Sequence, residues 1–216
     1  MDYKITAIKL QKRNRHRVNI YLDGDYAFGT AQIVAAWLKV GQNISDEDIE
    51  NLKISDRLEI AYQHAVKLMR YRLRTEAEIR QRLCDHGVNE KDIDAVILRL
   101  IENGLVNDHH FAQSWVDNRN DLRPRSRRAL SFELKRLGID PKIIEQTLAN
   151  FDDHKAAQNA ARKQAKKLKT LEWISFRKKL LAYLARRGFN YETSCLAVEQ
   201  VWAELLEAND LYERAS

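Results

Sequence analysis

Val18, Ile20 and Leu22 alternate with Asn19 and Tyr21, and Ile8 and Leu10 alternate in the same way just before them. This is the period of two that a half-buried strand requires. The polar stretch Lys12-Arg13-Asn14-Arg15-His16 separates the two, and Asp23-Gly24-Asp25 separates the second from Tyr26-Ala27-Phe28. Both separators read as turns. The pattern predicts a small antiparallel hairpin or three-stranded meander, which needs a helix to cover it. The segment Ala31–Val40, stopped by Gly41, is predicted to be that helix. Ser45-Asp46-Glu47-Asp48 then starts a short helix over about residues 46–52, with acidic groups on its positive end. Ser55 caps a longer one, in which Leu58, Tyr62, Ala65, Met69 and Leu73 are spaced 4, 3, 4 and 4 and so form one stripe. From there on the pattern stays helical.

The helical part repeats. Leu83-Cys84-Asp85-His86-Gly87-Val88-Asn89, Leu134-Lys135-Arg136-Leu137-Gly138-Ile139-Asp140 and Leu184-Ala185-Arg186-Arg187-Gly188-Phe189-Asn190 share the pattern Leu-x-x-x-Gly-apolar-Asn/Asp. The glycines are 51 and 50 residues apart. Glycine supplies the left-handed residue that ends a helix, and the apolar residue after it packs back. Asn89, Asp140 and Asn190 then cap the next helix, with Pro141 at a first helical position. Core positions repeat with the corner: Ile79, Leu130 and Leu180 before it, then Ile97, Leu148 and Val198, then Leu100, Phe151 and Val201. Thr75-Glu76-Ala77-Glu78 reads as a capping box. The expectation is a mainly α chain, a tandem array of three three-helix, helix-turn-helix-like repeats behind a small N-terminal β-hairpin segment. The segments are 1–54 (hairpin plus helices), 55–106, 107–151 and 152–206 (the three repeats), and 207–216 (a C-terminal tail). A corner of this kind does not by itself distinguish a DNA-reading motif from a purely structural one.

Composition supports this picture. Seven glycines and two prolines in 216 residues are too few for an all-β fold, and 44% apolar content fits a globular chain. Two distant cysteines, Cys84 and Cys195, give no disulfide framework and point to a reducing, cytoplasmic setting. Both are expected to be small buried hydrophobes. The longest apolar run, Ile33–Leu38, is far too short for a membrane span, and the N-terminus has no signal-like apolar stretch.

Charge changes the functional picture. The formal net charge is +6, and residues 162–187 carry ten basic side chains against Glu172 alone. Two more clusters lie at Arg70–Arg82 and Arg119–Arg136. All three fall on the first two helices of their repeats or the link between them, while the third helices are acidic or neutral. Such recurrence suggests a continuous basic stripe facing an anionic partner, either nucleic acid or an acidic protein face. The residues expected to carry it are Arg70, Arg72 and Arg74; Arg119, Arg123, Arg125, Arg127, Arg128 and Lys135; and Lys166, Lys167, Arg177, Lys178 and Lys179. Catalytic chemistry has no positive signal. There is no phosphate loop, dinucleotide fingerprint or nucleophile elbow. His109 and His110 are adjacent and point apart on a helix, so no metal site is expected. Phe111 and Trp115, four apart, are expected in the core. No cofactor is expected.

The central stretch also resembles a known family. Leu83-x-x-x-Gly87-Val88, Ile93, Leu100 and Asn103-Gly104-Leu105-Val106-Asn107-Asp108-His109-His110-Phe111-Ala112 are similar to the RecX family of recombination regulators. So is the continuation Trp115-Val116-x-x-Arg119, Arg123-Pro124-Arg125-Ser126-Arg127-Arg128-Ala129-Leu130-x-x-Glu133-Leu134-x-x-x-Gly138-Ile139. The match covers about residues 60–150. It departs at Asn107, where the family often has a second aspartate, and at Ser126, where it often has glycine. The resemblance implies a non-enzymatic modulator of the RecA recombinase that lies in the groove of the RecA–DNA filament and inhibits recombinase and ATPase activity or alters filament growth and disassembly. The chain is expected to be a monomer, with single- or double-stranded DNA as a further contact and no membrane association. The residues alone leave open a stand-alone helix-turn-helix DNA binder and a helical scaffold for another acidic protein.

Overall fold

The structure is a computed structural model and describes residues 2–214. Four antiparallel strands open the chain: β1 (Asp2–Leu10), β2 (Arg17–Leu22), β3 (Asp25–Ala31) and β4 (Asn43–Ser45). Their order is β3-β2-β1-β4, with Ile8 opposite Ile20, Ile20 opposite Phe28 and Tyr3 opposite Ile44. Nine helices follow among the described residues: α1 (Asp46–Met69), α2 (Glu76–Asp85), α3 (Glu90–Glu102), α4 (Asp108–Leu122), α5 (Arg127–Arg136), α6 (Pro141–Leu148), α7 (Asp153–Ala165), α8 (Trp173–Arg186) and α9 (Tyr191–Arg214). The fold is therefore mainly α: three three-helix repeats preceded by a small sheet. The residues group into two compact units, one of residues up to 74 with 78–106, the other of residues 75–77 with 107 onward.

In the first unit, the alternation in β1 and β2 sets Ile5, Val18, Ile20 and Leu22 on one face, where they bury against Ala35, Leu38, Ile44 and Leu52. The cover differs from expectation. Residues 32–37 form a chain of turns rather than a helix. Ala35 and Leu38 reach the sheet core, whereas Ile33, Trp37 and Val40 are exposed. The expected break near Ser55 is also absent, because α1 runs unbroken from the Ser45–Asp48 capping box to Met69. No glycine or proline interrupts it, and both halves are anchored. Asp56 accepts from Arg17 Nη2 at 2.8 Å and from the Ala31 N–H at 2.6 Å, fixing α1 to the sheet. Arg57 meets Asp92 at 2.5 Å and Glu59 meets Arg99 at 2.6 Å, fixing α1 to α3. The bond from Arg57 holds the Asp92 carboxyl below its usual pKa against the opposing effect of burial. Because α1 ends at Met69, Leu73 lies beyond the stripe and is exposed.

The repeat pattern sets the helical cores. Leu83, Leu134 and Leu184, like Ile79, Leu130 and Leu180, are fully buried, and each repeat has its own cluster around them. At every corner the glycine has positive φ, 78°, 81° and 89° in turn. The N–H of the apolar residue after it donates to the leucine carbonyl five residues back: Val88 to Leu83 at 3.1 Å, Ile139 to Leu134 at 3.1 Å and Phe189 to Leu184 at 3.3 Å. This is the Schellman closure. Asn89, Asp140 and Asn190 accept from N–H groups of the next helix at 2.9, 2.8 and 2.7 Å. Cys84 is exposed rather than buried, since it follows the inward Leu83 onto the outer face of α2; Cys195 is half-buried. α9 runs on to Arg214, across most of the stretch expected as a tail; residues 215–216 of that tail lie outside the described residues.

The second unit shows why two of the corners need glycine twice over. A Cβ on Gly138 would overlap that of Ala77, and the buried Thr75 hydroxyl donates to Leu137 O at 2.8 Å. A Cβ on Gly188 would lie 2.7 Å from Ser126 Oγ and 2.9 Å from Ala129 Cβ, and the Ser126 N–H donates to Arg187 O at 3.2 Å. Thr75 and Ser126 stand just before α2 and α5, so the same close approach is built twice. Around Gly87 there is open space. Gly87→Ala should therefore cost only the left-handed backbone strain, about 1 kcal/mol. Gly138→Ala and Gly188→Ala add overpacking and should cost roughly 2–4 kcal/mol each. Denaturant unfolding midpoints of the three variants check the ranking.

Candidate functional site

The middle helices display the basic residues, and their packing decides which cations reach solvent. In α5, Leu130 and Leu134 occupy the inward stripe, so residues two positions off that stripe point outward. Arg128, Phe132, Lys135 and Arg136 occupy one exposed face at spacings of 4, 3 and 1. In α8, Phe176, Leu180 and Leu184 face inward, and Lys178, Lys179 and Arg186 are exposed. Lys178 stands where Arg128 stands one repeat earlier.

The expected site residues divide into two sets. The first is engaged inside the fold. Arg119 Nε meets Glu133 Oε2 at 2.9 Å and lies 4.4 Å over the Trp115 ring. Arg125 Nε lies 2.8 Å from Glu133 Oε1, close enough for an ion pair though not aligned for a hydrogen bond. Trp115 Nε1 donates to the same carboxylate at 2.9 Å. Phe111 is buried and stacks on the half-buried Trp115, which makes that pair core. Arg127 donates to Ala149 O and Phe151 O at 2.8 and 3.1 Å, clamping the start of α5 to the end of α6. In the first unit, Arg74 donates to Leu68 O at 2.9 Å and bonds Glu78, which also takes Arg72 at 2.5 and 2.9 Å. Arg177 is half-buried against Tyr191 Oη at 3.3 Å and Cys195 Sγ at 3.7 Å; these contacts raise its pKa above the ordinary arginine value.

The second set points outward. Arg70, Arg123, Arg128, Lys135, Lys166, Lys167, Lys178 and Lys179 are exposed and make no ion pair among the described residues. Arg136 and Arg186 join them. In unit two these cations sit on α5, α8 and the links before them. Eight of the fourteen expected cations thus reach solvent without an ion pair, and the other six are engaged within the fold.

Phe132 was not among the expected residues. It is 62% exposed, with Arg128 one turn before it and Lys135 and Arg136 one turn after. An exposed ring framed by unpaired cations suits an anionic partner that also offers an apolar or aromatic surface. The signal lay in its register, since position 132 falls opposite the Leu130–Leu134 stripe. Groups of three or more histidine, cysteine or acidic residues able to hold a metal do not occur among the described residues. No described helix is long and apolar enough to cross a membrane.

Four family models match the chain in order. They are the RecX regulatory protein N-terminal domain at residues 3–45 and the first, second and third three-helix domains of RecX at 61–100, 107–148 and 152–195. Regulatory protein RecX of Bacillus velezensis is 32% identical over 201 residues, spanning 91% of this chain and 76% of its own length. That of Clostridium beijerinckii is 30% identical over 207 residues, spanning 93% and 96%. A crystal structure of regulatory protein RecX superposes with a TM-score of 0.74 at 25% identity, covering 91% of this chain and 99% of that one. RecX from Lactobacillus salivarius gives 0.59 at 23% identity over 68% and 97%, a likeness of fold.

The division of cations has a direct test. Glu133→Ala removes the anionic partner of two guanidiniums and the acceptor of an indole N–H, and should cost about 1–3 kcal/mol. Arg128→Glu and Lys135→Glu should stay within about 0.5 kcal/mol of the parent. Thermal unfolding of the three variants measures the contrast.

Proposed function

The chain belongs to the RecX family of regulatory proteins, and from that premise we propose that it is a non-enzymatic regulator of the RecA recombinase. It binds the RecA–DNA filament and lowers its recombinase and ATPase activity. Regulation follows from unequal affinity: a protein that binds one filament state better shifts assembly toward that state. The docking is electrostatic and does not read bases. It uses Arg123, Arg128, Lys135 and Arg136 of the second repeat and Lys166, Lys167, Lys178 and Lys179 of the third, with Phe132 as an apolar anchor. The paired residues Arg119, Arg125 and Arg127 act indirectly by holding α5 in place. The protein works as a cytoplasmic monomer, and DNA exposed in the filament is a further contact.

The observation that carries this reading is the face of α5, where a solvent-exposed phenylalanine lies among cations that the fold itself leaves unpaired. The stand-alone helix-turn-helix alternative has less support. It would send the helix after each corner into a duplex groove. Yet α3 carries Glu90, Asp92, Asp94 and Glu102 against Lys91 and Arg99, and α6 is eight residues long with one lysine and one glutamate. Neither suits a phosphate-lined groove.

Added in molar excess, the protein should lower RecA ATPase turnover on single-stranded DNA. A chain carrying Arg128→Glu, Phe132→Ser and Lys135→Glu together should need about tenfold or more protein for the same effect. Unchanged ATPase with the parent protein would reject the proposal.

A further inference from the structure

We propose that the first unit carries a second binding site, a groove that takes an acidic peptide segment bearing aliphatic or aromatic side chains. The site shares no residue with the basic faces of α5 and α8 and goes beyond the filament reading. The groove lies between the β1–β2 turn, the turns after β3 and the outer face of α1, and encloses about 1000 Å³.

Its floor is aliphatic. Ala31, Ile33 and Ala36 line one side and Ile60 the other. Ile33 is 63% exposed and Ile60 52%. Trp37 and Val40, on the same run of turns as Ile33, are exposed as well. These side chains belong to the segment whose apolar pattern suggested a helix over the sheet. The sheet core takes Ala35, Leu38 and part of Val34, and leaves Ile33, Trp37 and Val40 facing solvent. Ile33 and Ile60, two large exposed apolar side chains facing one concavity, mark a place where a partner removes them from water.

The rim is cationic. His16, Arg17 and Arg70 line it, and the turn that supplies His16 also carries exposed Lys12, Arg13 and Arg15. Arg17 is committed to Asp56, whereas Arg70 makes no ion pair among the described residues. The one acidic lining residue, Glu59, is 5% exposed and already paired with Arg99 and Gln63. The charge offered to an occupant is therefore positive, complementary to carboxylates. The His16 imidazole at the rim is the one aromatic ring among the lining residues, so a nucleic-acid base would find phosphate partners at the rim but no stacking platform on the floor. Carboxylates for the rim and apolar side chains for the floor together describe an acidic, amphipathic peptide.

The test is fluorescence anisotropy of the full chain with a labelled short peptide of alternating glutamate and leucine. Saturable binding is expected. Ile33→Asp, Ile60→Asp and Arg70→Glu should each weaken it by about tenfold or more. All three sites are exposed, and circular dichroism melts of each variant should match the parent. Replacing the leucines of the probe with serine should weaken binding as strongly. Lys135→Glu should leave it unchanged. Absence of saturable binding, groove variants that bind like the parent, or equal weakening by Lys135→Glu would overturn the proposal. So would an oligothymidylate that displaces the peptide and is itself lost in the groove variants, since the groove would then be a nucleic-acid site.

Discussion

The structure depends on a backbone approach that tolerates no side chain. At Gly138 and Gly188 a helix ends in the left-handed conformation and its last turn lies directly on the start of another helix. Either demand alone would favour glycine; together they exclude every alternative without rearrangement. The reward is a polar seal, in which carbonyls freed at the helix end, Leu137 O and Arg187 O, are met by the Thr75 hydroxyl and the Ser126 N–H. Helix termini buried without such partners would be costly. The repeat is thus a unit of hydrogen bonding as well as of core packing. α8 starts a full turn earlier relative to its glycine than α5 does, so Phe176 is a buried helical residue where Ser126 is a cap.

Fixing the middle helices in this way also sorts their charges. Arginines within reach of an inward carboxylate or a free carbonyl are drawn into the fold: Arg119 and Arg125 onto Glu133, Arg127 onto the end of α6, Arg74 onto Glu78 and Leu68 O. Those one face away stay in water. Charge-assisted bonds to partly shielded carboxylates are the stronger ones, so this sorting is a property of the native state. A basic cluster counted along the sequence therefore mixes structural arginines with available ones. On α5 the available ones, Arg128, Lys135 and Arg136, flank the exposed Phe132.

Much of this was legible in the sequence, because helix ends and core stripes depend on short-range spacing. Leu-x-x-x-Gly-apolar-Asn/Asp encodes the inward leucine, the left-handed stop, the packed return and the next cap in seven positions, and all were found at all three corners. The strand alternation around Val18–Leu22 was equally local. What escaped depends on long-range partners. Residues 31–40 have the apolar content of a helix, but the sheet core takes Ala35, Leu38 and part of Val34 and leaves Ile33, Trp37 and Val40 in solvent. Ser55 looks like a cap until Asp56, Arg57 and Glu59 are seen to tie one continuous helix to both the sheet and α3. The pairing of Arg119 and Arg125 could not be read because Glu133 lies in another helix. Phe132 could have been found, since its register puts it opposite the core leucines.

The central claim is that outward cations hold a polyanionic filament while inward ones hold the fold. Co-sedimentation with RecA filaments on single-stranded DNA, over a range of salt concentrations, measures it most directly. The account predicts that log affinity falls steeply with log salt, and that Lys178→Gln or Lys179→Gln each flattens the slope by about one. Co-sedimentation whose strength does not change with salt, or slopes untouched by both variants, would contradict it.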